Sequence, residues 1–507
     1  MTGVSKSFAG VQALDGVDFH IMPGEVVCLA GENGSGKSTL IKSLAGAQGI
    51  DRGTIEFNGQ RMVRPNPLEA VRAGVQIIYQ DFSLFPNLGV AENIAFSRRL
   101  AEGSRWVSTK AIRAVAREAL DRLGVDIPLG ARVESLPVAS KQLVAIARAI
   151  SNEARLIVMD EPTTALTERE VQRLLDIIRR LKARGIAVLF VSHKLREVFA
   201  VCERVMVLRN GRVVAGGPVE EFDLSSLSTH MTGRELDGER PVDPATVRDD
   251  VILEASGLTR PGEFGDISFA LSAGEVLGIT GRLGSGRTEL AEALFGIRPA
   301  SAGTIRVGGR DVSIRSIEDA MALGIAYVPE DRLSEGLFLP QSIARNIAVS
   351  SLDRLGEGPR LASARVREDA GEWVRRLAIA TPDPSLPVQS LSGGNQQRVV
   401  LARWLATSPR ILILNGPTVG VDVGSKADIH ETVNALAADG LGVIVISDDL
   451  PEVLTACHRT LVMRNGRVTD EVPYGTMDEG ELAGLLSADD APAADAASSA
   501  TSARQAA

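Results

Sequence analysis

Two halves of this chain repeat one another, and this repeat limits the fold more than any other feature. Residues 31–39 read GENGSGKST, and residues 281–289, which lie 250 positions later, read GRLGSGRTE. At an offset of 255, RNGRV at residues 209–213 recurs at residues 464–468. A chain of 507 residues exceeds the usual domain size of about 100 to 200 residues. The sequence therefore predicts two similar domains in tandem.

Each half has the pattern of an α/β fold. The β-branched runs at residues 188–191 and 443–446 alternate with helical stretches such as residues 168–184, which is typical of a parallel sheet packed by helices. Between Val90 and Leu129 the first half is mostly helical, with apolar residues at helical spacing: Ile112, Val115, Ala116, Leu120 and Leu123. We expect this inserted piece to form a separate lobe.

Composition marks the ends of the two domains. Residues 236–250 are rich in Pro, Asp and Arg without apolar periodicity, which indicates an exposed linker between domains at 1–235 and 251–488. The tail at 489–507 is rich in Ala and Ser and is expected to be disordered. The first half has no match for residues 251–255, so a first edge strand is expected to be missing, through the choice of start codon or a true truncation.

Charge and cysteine usage exclude several classes of protein. The net charge of −9 argues against a general nucleic-acid binder. The three cysteines, Cys28, Cys202 and Cys457, lie far apart without a C-x-x-C pair, so neither a disulfide framework nor a zinc site is expected. No stretch approaches the roughly 18 apolar residues of a membrane span, and residues 1–10 lack the apolar core of a signal peptide. We expect the chain on the cytoplasmic side of the membrane.

The stretch at residues 31–39 is a complete phosphate-binding loop between an apolar strand, residues 26–30, and a helix. Its glycines let the backbone curl so that its N–H groups face the phosphates at the positive end of the helix. Lys37 can reach the β- and γ-phosphates, and the Ser38 hydroxyl can ligate Mg²⁺. The predicted binding residues are Gly31, Glu32, Asn33, Gly34, Ser35, Gly36, Lys37, Ser38 and Thr39.

Two acids follow a second apolar strand at residues 156–160. A nucleotide site with Mg²⁺ needs a carboxylate for the metal, here Asp160, and a base that deprotonates water, here Glu161. Alone, these acids would be better explained as the solvated end of a strand. The phosphate loop in the same half favours the catalytic interpretation.

The second half has lost these residues. Arg287 replaces the lysine, and Asn415 and Gly416 replace the two acids. The planar guanidinium of arginine is not interchangeable with the point charge of lysine. Loss of a general base alone costs about 10²- to 10⁴-fold in rate. This half is therefore predicted not to turn over nucleotide usefully.

Three further motifs complete a resemblance. Gln80 after an apolar strand, His193 after another, and LSGGNQQ at residues 391–397 resemble the Q-loop, H-loop and signature of ATP-binding cassette (ABC) ATPases. Further motifs are MTGR at 231–234, VPEDR at 328–332 and GVDVG at 420–424. With these motifs the chain resembles the tandem ATP-binding subunits of bacterial ribose/galactose/xylose-type sugar importers, and the resemblance covers nearly all of residues 1–488.

The resemblance implies two tandem ABC-ATPase domains of the P-loop NTPase class. Each would have a parallel-sheet core, an antiparallel β subdomain and an inserted helical lobe. In this family two cassettes sandwich ATP and Mg²⁺ head to tail, so the first phosphate loop would meet the signature residues of the second half, Ser392, Gly393 and Gly394. His193 would hold the γ-phosphate in catalysis, Gln80 would take part in catalysis and sense Mg²⁺ as a metal contact, and Phe8 would stack on adenine.

The second composite site implied by the resemblance is degenerate. It would combine Arg287 with Glu330, where Gln is expected, and Asp448, where His is expected. The first-half signature, LPVAS at residues 136–140, contains Pro137, which has no N–H to donate. Asn415 and Gly416 also depart from the family, which ordinarily keeps Asp-Glu there, so nucleotide binding at this site stays open.

The resemblance implies the ATPase subunit of a monosaccharide importer at the cytoplasmic face of the cell membrane. It would dock through its helical lobes and Q-loops onto transmembrane permease subunits fed by an extracytoplasmic solute-binding protein, with a second copy of this chain allowed in the transporter. Nucleosides or other small polar solutes are the alternative cargo. A soluble twin-cassette factor acting on ribosomes or nucleic acid is the other alternative, but such factors usually have two intact signatures and a long charged linker.

Overall fold

The computed structural model describes residues 1–8, 11–62, 66–101, 108–163, 166, 168–192, 194–234, 242–357, 360–361 and 363–487. His193, the predicted tail and the first part of the predicted linker lie outside these residues. The chain divides into two compact units. The first comprises Met1–Gly238 with Gly420–Gly424, and the second comprises Glu239–Val419 with Ser425–Ala507.

The strands of the first half form two sheets. In chain order they are β1 (Thr2–Phe8), β2 (Val11–Val17), β3 (Val26–Ala30), β4 (Arg52–Phe57), β5 (Gln60–Met62), β6 (Val75–Ile78), β7 (Leu156–Asp160), β8 (Ala187–Val191), β9 (Arg204–Arg209) and β10 (Arg212–Pro218). The larger sheet has the order β10-β9-β3-β8-β7-β6, parallel except for β10. The smaller sheet, β2-β1-β4-β5, is antiparallel.

Helices cover the larger sheet and form a lobe. They are α1 (Lys37–Leu44), α2 (Pro67–Ala73), α3 (Val90–Ala101), α4 (Thr109–Leu123), α5 (Val138–Ser151), α6 (Glu168–Ala183), α7 (Leu195–Val201) and α8 (Leu224–Thr232). The Ser108 side chain caps α4 at its start, and Gly124, with φ of 68°, ends it. Ala116, Leu120 and Leu123 are buried on its inner face. The predicted helical insertion is confirmed.

Buried strands explain the parallel core. Every residue of β3 and β8 is buried, and both strands are continuous apolar runs. A strand packed by helices on both faces has no solvent side, so it lacks polar alternation. The carboxyl ends of β3, β6, β7 and β8 therefore meet at one edge of the sheet, where the polar residues follow.

The second half repeats this architecture. Its strands are β11 (Val251–Arg260), β12 (Phe264–Ser272), β13 (Val276–Gly281), β14 (Ala302–Val307), β15 (Arg310–Val312), β16 (Ile325–Val328), β17 (Gly356–Glu357), β18 (Arg360–Leu361), β19 (Ile411–Asn415), β20 (Gly442–Ile446), β21 (Arg459–Arg464) and β22 (Arg467–Pro473). Its helices are α9 (Arg287–Leu294), α10 (Ile317–Ala322), α11 (Ile343–Ala348), α12 (Leu352–Leu355), α13 (Ser363–Arg376), α14 (Gly393–Leu405), α15 (Val423–Ala438), α16 (Leu450–Ala456) and α17 (Glu479–Ser487).

The sheets of the second half have the same order as those of the first. They are β16-β19-β20-β13-β21-β22 and β12-β11-β14-β15, with an additional hairpin formed by β17 and β18. The predicted fold, two tandem α/β domains with an antiparallel subdomain and a helical insertion, is confirmed.

The first strand needs a correction. Strand β1 is present, although it has 7 residues where β11 has 10. It lies between β2 and β4, inside its sheet and not at an edge. Thr2 pairs with Thr54 as Ser256 pairs with Thr304, so the part of β11 before Ser256 has no counterpart in β1, and the strand is shortened but not lost.

The segment before β11 is attached to the second unit. Most of residues 242–250 are exposed, as predicted for a linker, but the Thr246 hydroxyl donates to the Gly274 carbonyl at 3.0 Å and the Arg248 N–H donates to the Ala273 carbonyl at 2.9 Å. These bonds hold the segment against the turn before β13.

The three cysteines, Cys28, Cys202 and Cys457, are free and buried. Within the described residues, none of the helices has the length and apolar content needed to cross a membrane.

Candidate functional site

The first phosphate loop lies between β3 and α1. Gly36, with φ of 109°, precedes the first residue of α1. A Cβ atom on Gly31 would lie 2.2 Å from the Leu208 carbonyl oxygen, and one on Gly36 would lie 2.5 Å from the Ala13 carbonyl oxygen. Backbone therefore closes around the loop from two sides, and only glycine fits at these positions.

The Lys37 side chain lies across this loop. Its ammonium group donates to the carbonyl oxygens of Gly31 at 2.6 Å and Glu32 at 2.8 Å. Burial lowers the pKa of Lys37, and the carboxylates of Glu161 and Asp160 oppose that effect. The cation is thus held beside the concave face of the loop, where phosphates would bind.

The other loop residues fall into two groups. Asn33, Gly34 and Ser38 are exposed, so their polar atoms face solvent. The Ser35 hydroxyl is buried and has no hydrogen-bond partner among the described residues. Thr39 is half-buried in the first turn of α1. The loop thus offers exposed backbone at its tip and a polar interior.

Asp160 and Glu161 lie at the carboxyl end of β7. Asp160 is the last residue of the strand, and burial together with the neighbouring Glu161 charge raises its pKa. Glu161 has φ of 47°, a left-handed conformation that non-glycine residues rarely adopt. Its N–H donates to the Val191 carbonyl at 2.9 Å, which fixes this turn to the neighbouring strand.

Gln80 meets Asp160 in one cleft. Strand β6 runs parallel to β7, with Ile78 opposite Met159, so the residues that follow both strands lie together. The cleft has a volume of about 860 Å³ and is lined by Lys42, Ala47, Gln48, Tyr79, Gln80, Asp81, Ser83 and Asp160. The structure therefore brings together two of the predicted metal contacts.

Lys42 is a site residue that the sequence did not indicate. It lines the same cleft and lowers the pKa of Asp160, against the larger effects of burial and Glu161. A single lysine in a helix resembles any solvated surface charge. What distinguishes it is its place in the cleft beside Gln80 and Asp160.

Phe8 ends β1 with its side chain partly available. The residue is 43% exposed, and the Lys6 ammonium lies 5.4 Å from its ring centre. An aromatic surface beside a cation suits a purine ring, and its role in adenine binding stays a prediction.

The signature residues of the second half begin a long helix. Ser392 precedes the first residue of α14, and the Asn395 side-chain amide donates to the Ser392 hydroxyl at 2.9 Å. A Cβ atom on Gly394 would lie 2.1 Å from the Ser425 hydroxyl, so only glycine fits. Ser392 is exposed and Gly393 half-buried, which leaves the helix N-terminus open to an anion. In the first half Pro137 precedes α5 at the corresponding position, and neither helix has a side-chain cap.

The second phosphate loop holds an ion pair. Arg287 is 6% exposed, and its guanidinium donates to the Gly281 carbonyl at 2.6 Å and lies 3.5 Å from the Asp448 carboxylate. Leu283, at the loop tip, is 97% exposed. The cation of this loop is therefore already partnered by a carboxylate.

In the second half, uncharged residues occupy the two positions that correspond to Asp160 and Glu161. Asn415 is buried at the end of β19 and donates to the Tyr327 hydroxyl at 3.2 Å. Gly416 follows with φ of 59°. A Cβ atom at Gly416 would lie 3.0 Å from the Glu330 Cγ atom, so Glu330 borders the space where a residue-416 side chain would start.

Comparison with known proteins agrees with this geometry. The family model described as ABC transporter matches residues 14–164 and again residues 264–419. The chain is 44% identical over 476 residues to ribose import ATP-binding protein RbsA 2 of Streptomyces avermitilis, covering 94% of each chain. It is 41% identical over 483 residues to the putative ribose/galactose/methyl galactoside import ATP-binding protein 1 of Agrobacterium fabrum, covering 95% of each.

Among solved structures, it is similar to an ATP-binding cassette of an ABC transporter in its ADP conformation. The identity is 26% and the TM-score 0.40, over 45% of this chain and 92% of that chain. Two matches to one family model and full-length relatives together establish the family. The chain belongs to the ABC transporter family and carries two of its ATP-binding cassettes in tandem.

Proposed function

We propose that this chain is the ATP-hydrolysing subunit that energises an ABC importer of monosaccharides. Relatives that match over nearly their whole length are named for ribose import or for ribose, galactose and methyl galactoside import, which supports the substrate class. In this role the chain works on the cytoplasmic face of the membrane. The observation that carries the proposal is the asymmetry between the two phosphate loops.

One competent site would be assembled from both halves. The first half supplies Lys37, Asp160 and Glu161, and the second half supplies Ser392 and Gly394 at the start of α14. Pro137 makes the first-half signature a poor anion site because it lacks an N–H.

The first site has donors that suit Mg²⁺. Asp160 offers a carboxylate, Gln80 an amide oxygen and Ser38 a hydroxyl, which are the hard oxygen ligands that Mg²⁺ prefers. The raised pKa of Asp160 fits such a role, because a cation would stabilise its charged form. When bound, the metal would neutralise charge on the β- and γ-phosphates.

The residues of the site would divide the work of hydrolysis. Lys37 and the loop N–H groups hold the phosphates, and His193 holds the γ-phosphate. Glu161 orients water and takes its proton. The helix that begins after Ser392 stabilises the charge of the γ-phosphate. Phe8 stacks on adenine.

The helical lobes would dock onto permease subunits. In the first lobe Phe85 and Phe96 are both partly exposed and pack edge to face, with ring centres 5.1 Å apart. Phe338 in the second half is 56% exposed. Exposed aromatic clusters often mark protein interfaces. An extracytoplasmic solute-binding protein would act on the permease and reach this chain only indirectly.

Removing one hydroxyl in each half tests the shared site. Ser392→Ala should lower the steady-state ATPase rate about ten- to a hundredfold, the effect of losing a hydrogen bond to a charged group. Ser140→Ala removes a hydroxyl from the first-half signature segment, at the position that aligns with Asn395, and should leave the rate nearly unchanged. Equal effects of the two variants would contradict a site built from the first loop and the second signature.

Transport by the assembled importer tests the cargo. With the permease subunits and binding protein in proteoliposomes, we expect ATP-dependent uptake of labelled ribose and no uptake of labelled uridine. Preferred uptake of uridine would replace the sugar proposal with nucleoside import and leave the ATPase proposal standing.

A further inference from the structure

A buried hydrogen bond joins the segments that follow β7 and β8. The Thr163 hydroxyl donates to the Glu197 carboxylate at 2.6 Å. Thr163 comes two residues after Glu161, the proposed base, and Glu197 comes four residues after His193, the residue proposed to hold the γ-phosphate. Both ends of the bond are buried, with Thr163 1% and Glu197 8% exposed. A hydrogen bond to a carboxylate is strong in such surroundings, because water does not compete for it.

Glu197 also lies close to the residues on either side of position 193. The Ser192 hydroxyl is 3.5 Å from its carboxylate and accepts the Lys194 N–H at 3.0 Å. The Lys194 ammonium donates to the Thr163 carbonyl at 3.2 Å and lies 3.7 Å from the Glu197 carboxylate. Thr163, Glu197 and Lys194 therefore form a closed ring of contacts, which connects the turn after β7 to the start of α7.

The turn that this ring holds contains a residue in a rare conformation. Glu161 has φ of 47°, and a non-glycine residue keeps such a conformation only where the surrounding structure fixes it. The Glu161 N–H donates to the Val191 carbonyl at 2.9 Å, which fixes the backbone before the Glu161 side chain. The bond from Thr163 to Glu197 fixes the backbone after it. The Glu161 side chain thus starts between two attached points.

The second half keeps the buried glutamate but gives it a different partner. At the offset of 255 between the two halves, Glu452 corresponds to Glu197. It accepts hydrogen bonds from Ser447, which corresponds to Ser192, and from His430 of α15. The serine hydroxyl is thus common to both halves. The other partner of the carboxylate comes from the turn after the strand in the first half and from a helix in the second.

This exchange removes the link to the turn after β19. Thr418, at the position of Thr163, is half-buried and is not a hydrogen-bond partner of Glu452 within the described part of the chain. The residue that corresponds to Glu161 is Gly416, with φ of 59°, and glycine adopts this conformation without strain. The link is therefore present in the half that has a strained acid to hold and absent from the half that has glycine there.

We propose that Glu197 is a positioning residue for hydrolysis, which through Thr163 fixes the Glu161 turn relative to the segment that carries His193. This inference rests on the proposed role of Glu161 as the base. Catalysis depends strongly on such placement, since a shift of about 1 Å can cost roughly a hundredfold in rate. ATP is held mainly by the phosphate loop between β3 and α1, so the link acts on kcat and leaves the affinity for ATP nearly unchanged.

Removing the Thr163 hydroxyl tests the link. Thr163→Val keeps the shape of the side chain and should lower kcat about tenfold, the effect of losing a hydrogen bond to a charged group. The KM for ATP and the binding of a non-hydrolysable ATP analogue should stay within about twofold. Thr163→Ser restores the hydroxyl and should return kcat to within about twofold of the wild type. An unchanged kcat in Thr163→Val, or an equal loss in both variants, would overturn the proposal.

The Glu161→Gln background tests whether Thr163 acts through Glu161. Effects of residues that act as a unit are not additive, so adding Thr163→Val to Glu161→Gln should change the residual rate by no more than about twofold. Single-turnover measurements follow this low rate. A further loss of about tenfold in that background would mean that Thr163 acts independently of the base, which would overturn the proposal.

Glu452→Gln is the matched control, because it removes the charge of a buried carboxylate that has no link to the turn. Glu197→Gln should lower kcat about tenfold, whereas Glu452→Gln should leave kcat within about twofold. Melting temperatures of the two variants report the structural cost of each change. Equal losses of kcat would mean a merely structural role and overturn the proposal. Substantial hydrolysis in Glu161→Gln alone would refute the proposed base, whereas an inactive Glu161→Gln chain with unchanged kcat in Glu197→Gln would refute only the positioning role.

Discussion

The ends of β7 and β19 show how one fold can carry chemistry in one copy and lose it in the other. Each strand is buried between the same two neighbours in its sheet. After each strand the next N–H donates to the neighbouring strand, from Glu161 at 2.9 Å and from Gly416 at 2.8 Å. The backbone turn is thus preserved, whereas the two acids proposed to act in catalysis are present only after β7.

The same comparison explains where glycine is acceptable. Both positions require positive φ, 47° at Glu161 and 59° at Gly416. A residue with a Cβ atom in this conformation costs about 1–2 kcal/mol, and glycine avoids that cost. The first copy therefore retains backbone strain at its proposed base, and the second copy has released it.

The largest expected effect is on catalysis at the end of β7. Glu161→Gln keeps the size of the side chain but removes the base, so we expect the ATPase rate to fall about 10²- to 10⁴-fold. Gly416→Glu should restore none of it in that background, because Arg287 and Asn415 remain. Rates are measured at saturating ATP, with nucleotide binding as the control. Substantial hydrolysis in Glu161→Gln would place the chemistry elsewhere.

A second contrast lies in the buried glutamates at the start of α7 and α16. Glu452 is fully buried and accepts a hydrogen bond from His430 at 2.8 Å, whereas Glu197 lies 3.7 Å from the more exposed Lys194. His430→Ala should lower the free energy of unfolding by about 2–3 kcal/mol, because it removes one hydrogen bond to a fully buried carboxylate and leaves the one from Ser447. Lys194→Ala should cost about 0–1 kcal/mol. Urea unfolding of both variants measures the difference, and equal costs would remove this contrast.

The pH dependence of the Glu452 effect has a defined sign. Burial is the largest single effect and raises the pKa of Glu452, but the interactions with His430, Lys426 and Ser447 together outweigh it, so the net shift is downward. Stability from this group is present above its ordinary pKa and is lost as the pH falls through the lowered value. The difference between wild type and Glu452→Gln should therefore narrow in acid. A difference that widens in acid would contradict this assignment.

Substitutions that change the backbone strain at these two positions should have smaller effects on the free energy of unfolding, with opposite signs at Gly416 and Glu161. Gly416→Ala should lower the free energy of unfolding by about 1 kcal/mol because alanine is strained at positive φ. The free energy of unfolding of the Glu161→Gly variant should be about 1 kcal/mol higher than that of the Glu161→Ala variant. Denaturant titration with matched variants checks both. If Glu161→Gly were the less stable of the two, the observed φ would not carry strain.

The smallest effect on the free energy of unfolding concerns Asp160, the acid proposed to bind the metal. Burial and the Glu161 charge raise the pKa of Asp160, so the ionised form destabilises the fold above that raised value, and the penalty vanishes below the ordinary Asp pKa of 3.8. Asp160→Asn should therefore stabilise the chain at neutral pH and lose this advantage in acid. Asn415→Asp should destabilise at neutral pH. Thermal unfolding against pH would expose the opposite sign if burial were not the cause.

Much of this architecture follows from local sequence. Phosphate binding by the loop at residues 31–39 could be predicted from the sequence. The spacing of its Gly, Lys and Ser residues indicates phosphate binding when the loop lies between a strand and a helix, as it does here. The duplication predicted two similar domains, and the spacing in α4 predicted its buried face. The expectation about the first strand holds only in part: the register confirms that β1 is short, but pairing with β2 and β4 keeps the strand inside its sheet.

Other features were beyond reach of the sequence. Lys42, a lysine like many others, became a site residue only because α1 packs beside the cleft with Gln80 and Asp160. The pairing of Arg287 with Asp448 joins residues 161 positions apart, and no local pattern reports such a contact. Positive φ at Glu161 is likewise imposed by its bond to β8.

The sequence by itself determined which residue types each copy can offer: lysine and two acids in the first, arginine, asparagine and glycine in the second. Tertiary structure decided what those residues do, because charge and hydrogen bonding act over a few ångströms whatever the separation along the chain. Burial raises the pKa of Asp160, the Gly31 and Glu32 carbonyls hold Lys37, and Asp448 neutralises Arg287. The two copies thus differ in residue types, which the sequence shows, and in the contacts of those residues, which only the fold determines.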